Sequence, residues 1–122
     1  MTDAELNRLT ERIIGCAYRV GSALGYGYLE KVYENAMMVA LTREGLRARQ
    51  QFAIDVRFDG VVVGHFTADL LVEDTVLIEL KSAKDLDESH VAQCVNYLHA
   101  TGLTICLLIN FGPSVKVRRL RN

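Results

Sequence analysis

The chain has 122 residues, half of them hydrophobic and 24% charged, with a formal net charge of −1. That composition fits one globular domain over residues 1–122, long enough to bury a core without disulfide or metal staples. It argues against a strong nonspecific polyanion binder, and no apolar run approaches the ~20 residues needed to cross a bilayer.

The first residues, Met1-Thr2-Asp3-Ala4-Glu5, are polar and acidic and carry no signal-peptide pattern, so a cytoplasmic protein without membrane association is expected. Thr2 and Glu5 have capping-box spacing and open a first helix. Leu6, Leu9, Ile13, Ala17, Val20 and Leu24 recur at helical spacing up to Gly25. A second helix is expected from Leu29 to Glu44, with Leu29, Val32, Tyr33, Ala36, Met37, Ala40 and Leu41 as its apolar stripe and Glu34 on its solvated side.

The period then changes to two. Phe52, Ile54, Val56 and Phe58 alternate with polar residues as in a half-buried strand. Asp59-Gly60 is a hairpin turn signal. Val61–Val72 follows as a bent or bulged strand, Glu73-Asp74 turns the chain, and Val76–Lys81 is a third strand. Asp85 or Asp87 caps a third helix with Val91, Cys94, Val95 and Leu98 on one face, stopped by Gly102. Thr104–Asn110 is nearly all apolar, as in a strand covered on both faces. Gly112-Pro113 turns into a basic edge strand, Val115–Leu120. The order α-α-β-β-β-α-β-β contains one βαβ unit, which requires a parallel pair, so one mixed sheet flanked by helices is expected.

Cys16, Cys94 and Cys106 form no CxxC pair and read as buried core thiols. Arg43, Arg47 and Arg49 cluster mid-chain, and Lys116, Arg118, Arg119 and Arg121 near the end. Both clusters read as solvated edges, with phosphate contacts a second reading of the one near the end. Tyr26, Tyr28, Tyr33, Phe52 and Phe58 read as core or helix-packing residues. His65, His90 and His99 lack ligand spacing, although His65 shares strand parity with Asp69 and His90 stands three residues before Gln93.

The chemistry-bearing pattern is Asp69, nine intervening residues, then Glu79-Leu80-Lys81. A turn centred on Asp74 sets Asp69 and Glu79 directly opposite one another, with β-carbons about 5 Å apart. Lys81, two residues beyond Glu79, shares its face. Two carboxylates so close repel, and charges inside apolar strands are costly unless paired or coordinated. Two readings satisfy them. One is a surface hairpin with a cross-strand salt bridge to Lys81. The other is a divalent cation held by oxygen ligands, for which magnesium is suited, with Lys81 placed to orient water or stabilise developing charge.

Asp69 and Glu79-Leu80-Lys81, followed by a helix with Gln93 and Tyr97, resemble the PD-(D/E)xK nuclease superfamily. Gly27-Tyr28-Leu29-Glu30-Lys31-Val32-Tyr33 resembles the signature of the bacterial and archaeal GxxExxY family within it. The likeness runs from about Gly25 to Gly112, and Ala68 stands where many members have proline. The resemblance implies a restriction-endonuclease-like αββαβ core preceded by an additional N-terminal helix. It implies Asp69 and Glu79 as ligands of Mg2+ or Mn2+ and Lys81 as the catalytic lysine. It further implies Glu30 as an added acidic ligand from a helix, and Gln93 bordering the site.

The leading expectation is therefore a metal-dependent phosphodiesterase acting on DNA or RNA. The alternatives are a nucleic-acid-binding module that keeps the fold without turnover, and a protein-interaction domain. A domain this small has no separate recognition domain, so a homodimer or a protein partner would supply specificity.

Overall fold

Thr2 caps the first helix, α1 (Asp3–Leu24), through the capping box with Glu5. Its buried face is Leu6, Leu9, Thr10, Ile13, Cys16, Ala17 and Val20, and Gly25 closes it with a positive φ of 74°. The computed structural model describes residues 1–122, and the element order matches the sequence expectation. After α1 come α2 (Glu30–Arg43), β1 (Ala48–Phe58), β2 (Val61–Val72), β3 (Val76–Lys81), α3 (Glu88–Thr101), β4 (Ile105–Phe111) and β5 (Val115–Arg121). No helix is long and apolar enough to cross a membrane.

One five-stranded sheet has the order β1-β2-β3-β4-β5, antiparallel except for the parallel β3–β4 pair across α3. Asp59 and Gly60 both have positive φ, as a two-residue hairpin turn between right-twisted strands requires. Between β2 and β3 the connection has three residues, 73–75, and Glu73 and Asp74 have positive φ there. β4 is buried along its whole length and β5 lies at an edge, both as expected.

The sheet is covered on both faces. Helices α1 and α2 pack on one, over Leu70, Val72, Val76, Ile78, Leu80, Ile105, Leu107 and Ile109. Helix α3 packs on the other, over Ala68, Leu71, Leu77, Cys106 and Leu108. All three cysteines are free and buried.

Two expectations are corrected. The inward stripe of α2 is rotated: Leu29 is 80% exposed and Val32 half-exposed, while Glu34 is buried among Tyr33, Met37, Ala40 and Leu41. Glu34 tolerates that position because it accepts hydrogen bonds from Lys31 Nζ (2.9 Å), Gln50 Nε2 (2.6 Å) and Gln51 Nε2 (2.8 Å). Tyr26, Tyr28 and Phe58 are exposed rather than core; Tyr33 is fully buried and Phe52 half-buried. Of the two residues expected to cap α3, Asp87 is the N-cap, with His90 completing a capping box, and Asp85 pairs with Lys116 at 3.2 Å.

Asn110 is a buried polar residue at the end of β4, in register with Lys81. Its amide accepts from Ala83 N and donates to Ala83 O, both at 3.0 Å, fixing the segment that leaves β3. Gly112 is required beside it, since a β-carbon there would lie 2.6 Å from Ala83 O. Asn110→Ala would strand the Ala83 backbone groups. A loss of about 2 kcal/mol is expected, read from the urea midpoint with an unchanged denaturant slope.

Candidate active site

The β2–β3 register pairs Leu70 with Ile78, Leu71 with Leu77 and Val72 with Val76, which centres the turn on Asp74. Continuing outward, Asp69 faces Glu79, but the backbone ladder has ended. The side chains take its place. Glu79 Oε1 accepts from Asp69 N at 3.0 Å, and Asp69 Oδ2 accepts from Leu80 N at 2.7 Å. Each carboxylate thus spends one oxygen on the opposite strand's backbone. The second oxygens, Asp69 Oδ1 and Glu79 Oε2, take no protein hydrogen bond, and neither is sealed from solvent.

Strict strand alternation also breaks here. Leu70 faces α1 and α2, yet Ala68, two residues earlier, lies in the α3 cluster. Across the β1–β2 ladder Gln50 pairs with Leu70 and Phe52 with Ala68, while Gln51 and Asp69 make no pair. Gln51 has a φ of 52°, in the left-handed region that non-glycine residues seldom occupy. Its side chain is held by Glu34 and by Thr67 Oγ1 at 3.1 Å. Opposite the inversion at Gln51, Asp69 is withdrawn from both neighbouring ladders, which leaves its N–H for Glu79.

Burial pushes the Glu79 carboxyl up to about 8, with the Asp69 charge adding to the shift. Burial likewise raises Asp69; the bond from Leu80 N opposes this, while the charges of Glu34 and Glu30 add to it. Lys81, half-buried, favours ionisation of both but forms an ion pair with neither. The cross-strand salt bridge considered from the sequence is therefore not formed.

Glu30 is the first residue of α2 and is exposed. Its charge adds to the upward shift of both Asp69 and Glu79, and it lines a shallow depression shared with Ser82, the residue after Lys81. The Gly27–Tyr33 segment has a local logic. Gly27 has a φ of 121°, a conformation reserved for glycine. Tyr33 OH donates to Gly25 O at 2.5 Å and accepts from Tyr28 N at 3.3 Å, and its ring stacks on Phe111 at 4.5 Å. Ser82 Oγ donates to Tyr28 O at 2.8 Å. The connection carrying Glu30 is thus fastened to the core and to the residue after Lys81.

On the α3 side, Gln93 Nε2 donates to Tyr97 OH at 3.0 Å. The phenol of Tyr97 is raised by burial, with the charges of Glu79 and Asp69 adding to the shift, and its ring packs in the cluster that holds Ala68 and Leu77. His65 is turned away, bonded to Asp55 at 2.8 Å and mostly exposed. No three His, Cys, Asp or Glu side chains are gathered as a metal-ligand set; the structure joins Asp69 to Glu79, and Glu30 stands nearby without completing a triad. Glu34 is the residue the sequence reading missed, because its partners Gln50 and Gln51 lie on β1. The only sequence signal was its i, i+4 spacing from Glu30.

A mixed sheet between helices, opened at two facing carboxylates with a lysine two residues on, is the core of the restriction-endonuclease-like fold. Residues 7–121 match the family model of the PD-(D/E)XK nuclease superfamily, and the chain belongs to that superfamily. Among solved structures it is similar to an alkaline exonuclease (LHK-Exo) from Laribacter hongkongensis, with a TM-score of 0.56 and 16% identity. That match covers 75% of this chain and 55% of the exonuclease, so the chain spans about half of that structure. No curated protein matches the chain.

The raised Glu79 has a consequence for stability. The folded chain holds this proton up to about 8, the unfolded chain only to about 4.5. Folding is therefore favoured at low pH in this range, and that contribution is lost as pH rises from about 5 through 8. In the presence of a chelator, the urea midpoint is expected to fall over this window, at about 1 kcal/mol per pH unit where steepest. Glu79→Gln, which still accepts from Asp69 N, should flatten the profile.

Proposed function

We propose that this domain is a divalent-metal-dependent phosphodiesterase acting on DNA or RNA, of the GxxExxY branch of its superfamily. The observation that carries the reading is the Asp69–Glu79 pair. Glu79 is buried and Asp69 half-buried opposite it, each with one oxygen spent on backbone and one still free, and no cation from the protein joins them. Such a donor set fits a hard divalent ion, which takes oxygen ligands and tolerates the two charges together. Superfamily membership agrees with this, since PD-(D/E)XK nucleases generally use divalent metals. The exonuclease with a similar fold supports a nucleic-acid substrate.

Asp69 and Glu79 would hold magnesium or manganese, with Glu30 contributing from α2. The chemistry such an ion supplies is acidification of water and neutralisation of charge on a phosphodiester oxygen. Lys81 lies near both carboxylates and is committed to neither, so its ammonium is available to orient the attacking water or to stabilise charge building on the phosphate. Gln93 steadies Tyr97, which forms the wall beside Glu79. The GxxExxY assignment is supported by the roles of its residues: Gly27 allows the turn, Glu30 is presented at the helix start, and Tyr33 anchors the loop.

The test is calorimetric titration with magnesium and manganese, followed by nucleic-acid cleavage under the same conditions. Wild type is expected to bind, and Glu79→Ala to lose binding and cleavage together. Lys81→Ala should keep binding while cleavage falls on the order of 100-fold or more. Absence of metal binding by the wild type, even with nucleic acid present, would overturn the reading in favour of a non-catalytic module.

A further inference from the structure

β3 pairs with β2 only at residues 70–72, whereas β2 begins at Val61 and pairs with β1 to the hairpin tip. The distal parts of β1 and β2 therefore leave the sheet as a two-stranded arm. Val63 is an extra residue on β2, between the pairs Val56–Gly64 and Arg57–Val62, and this bulge bends the arm. Between the arm and α3 lies a cleft of about 760 Å³. Its walls include Phe66 and Arg57 from the arm and Ser89, Gln93, Asn96 and Tyr97 from α3.

The cleft lies on the α3 side of the strands that carry the candidate active site. Tyr97, in its wall, belongs to the packed cluster that holds Ala68, the residue before Asp69, and Leu77, two before Glu79, and Phe66 stands three residues before Asp69 on β2. The rings of Phe66 and Tyr97 lie 5.9 Å apart at 46°, and Phe66 is still 49% exposed. An aromatic half-open over a cleft is a surface awaiting a partner. Beside it, the amide of Asn96 is exposed and makes no hydrogen bond within the protein. Gln93 uses its Nε2 on Tyr97 and keeps its carbonyl oxygen free. Flat aromatic surface next to unpaired amide donors and acceptors is the chemistry that recognises a nucleobase. The volume lies within the range of small-ligand sites.

The geometry points to this cleft as a pocket for one unstacked nucleobase of the substrate strand, next to the phosphate at Asp69 and Glu79. Phe66 is its stacking platform, and Asn96 and Gln93 read its hydrogen-bonding edge. This rests on the nuclease reading and adds to it a preference for single-stranded or splayed nucleic acid, because a base inside a duplex stack cannot enter. A second cleft of about 630 Å³, at Arg47, Arg49 and Asp74, lies by the β2–β3 turn, away from the carboxylates, and contains the Arg49–Asp74 ion pair.

The experiment is fluorescence anisotropy with labelled single-stranded oligonucleotides bearing one abasic position, walked along the strand. Magnesium is present, and the Lys81→Ala background keeps the strand intact. One abasic position is expected to weaken binding about tenfold. Phe66→Ala should weaken the intact strand by a similar factor and become indifferent to that position. Phe66→Leu, which keeps an apolar side chain against Tyr97 without the ring, should behave like Phe66→Ala. Asn96→Ala should alter the ranking of the four bases at that position alone. Wild-type affinity in both Phe66 variants, or a full abasic penalty persisting in them, would overturn the pocket while leaving the nuclease reading standing. Failure of every oligonucleotide to bind, with metal binding also absent, would remove both.

Discussion

The whole arrangement hangs on an exchange of hydrogen bonds between Asp69 and Glu79. At the point where β2 and β3 would continue their ladder, each strand offers a carboxylate to the other's backbone instead. Buried N–H groups must find acceptors, so the strands can part here only because the side chains replace the lost carbonyls. The same substitution draws two acidic groups into a place where burial disfavours their charge. The structural device that opens the sheet is also what perturbs its titration.

The support for that opening comes from the other side of β2. Gln51 sits in a costly backbone conformation, of order 1–3 kcal/mol, and is retained there by Glu34 and Thr67. Glu34 in turn is buried on α2 and satisfied by two glutamines and a lysine. From α2 through β1 to Asp69, the chain of contacts is continuous. On the far side, Asn110 and Gly112 secure the segment after Lys81. The lysine and the two carboxylates are thus held from opposite ends by residues that touch none of the chemistry.

Local rules were sufficient for much of this. The capping box at Thr2, the turn at Asp59-Gly60 and the turn centre at Asp74 each depend on a few neighbouring residues, and together they place Asp69 opposite Glu79. What lay beyond reach depended on contacts distant in sequence. The sequence shows Glu34 as one charge among several on a helix, and nothing local says that Gln50 and Gln51 will reach it. Strict alternation along β2 fails because of a backbone inversion that no side-chain pattern announces. Leu29 and Val32 fit an apolar stripe, yet α2 turns its other side inward, burying Glu34 and leaving Glu30 exposed at the helix start. The capping role of His90 is not legible in spacing alone, because it is set by the bond its ring makes to the backbone of Asp87.

The edge strand β5 has a consequence of a different kind. Arg119 donates to Asn7 and Arg121 to Asp3, the second pair 118 residues apart, so the first helix is secured to the last strand. Contacts of such separation close late, since nearly the whole chain must be ordered or looped before they form. The β1–β2 hairpin needs only its own residues and can assemble early. A chain emerging from the ribosome can therefore pack α1 on α2 early, but the side of that helix pair meant for the sheet stays uncovered until β3, β4 and β5 are made, and during that interval it is the surface most in need of protection.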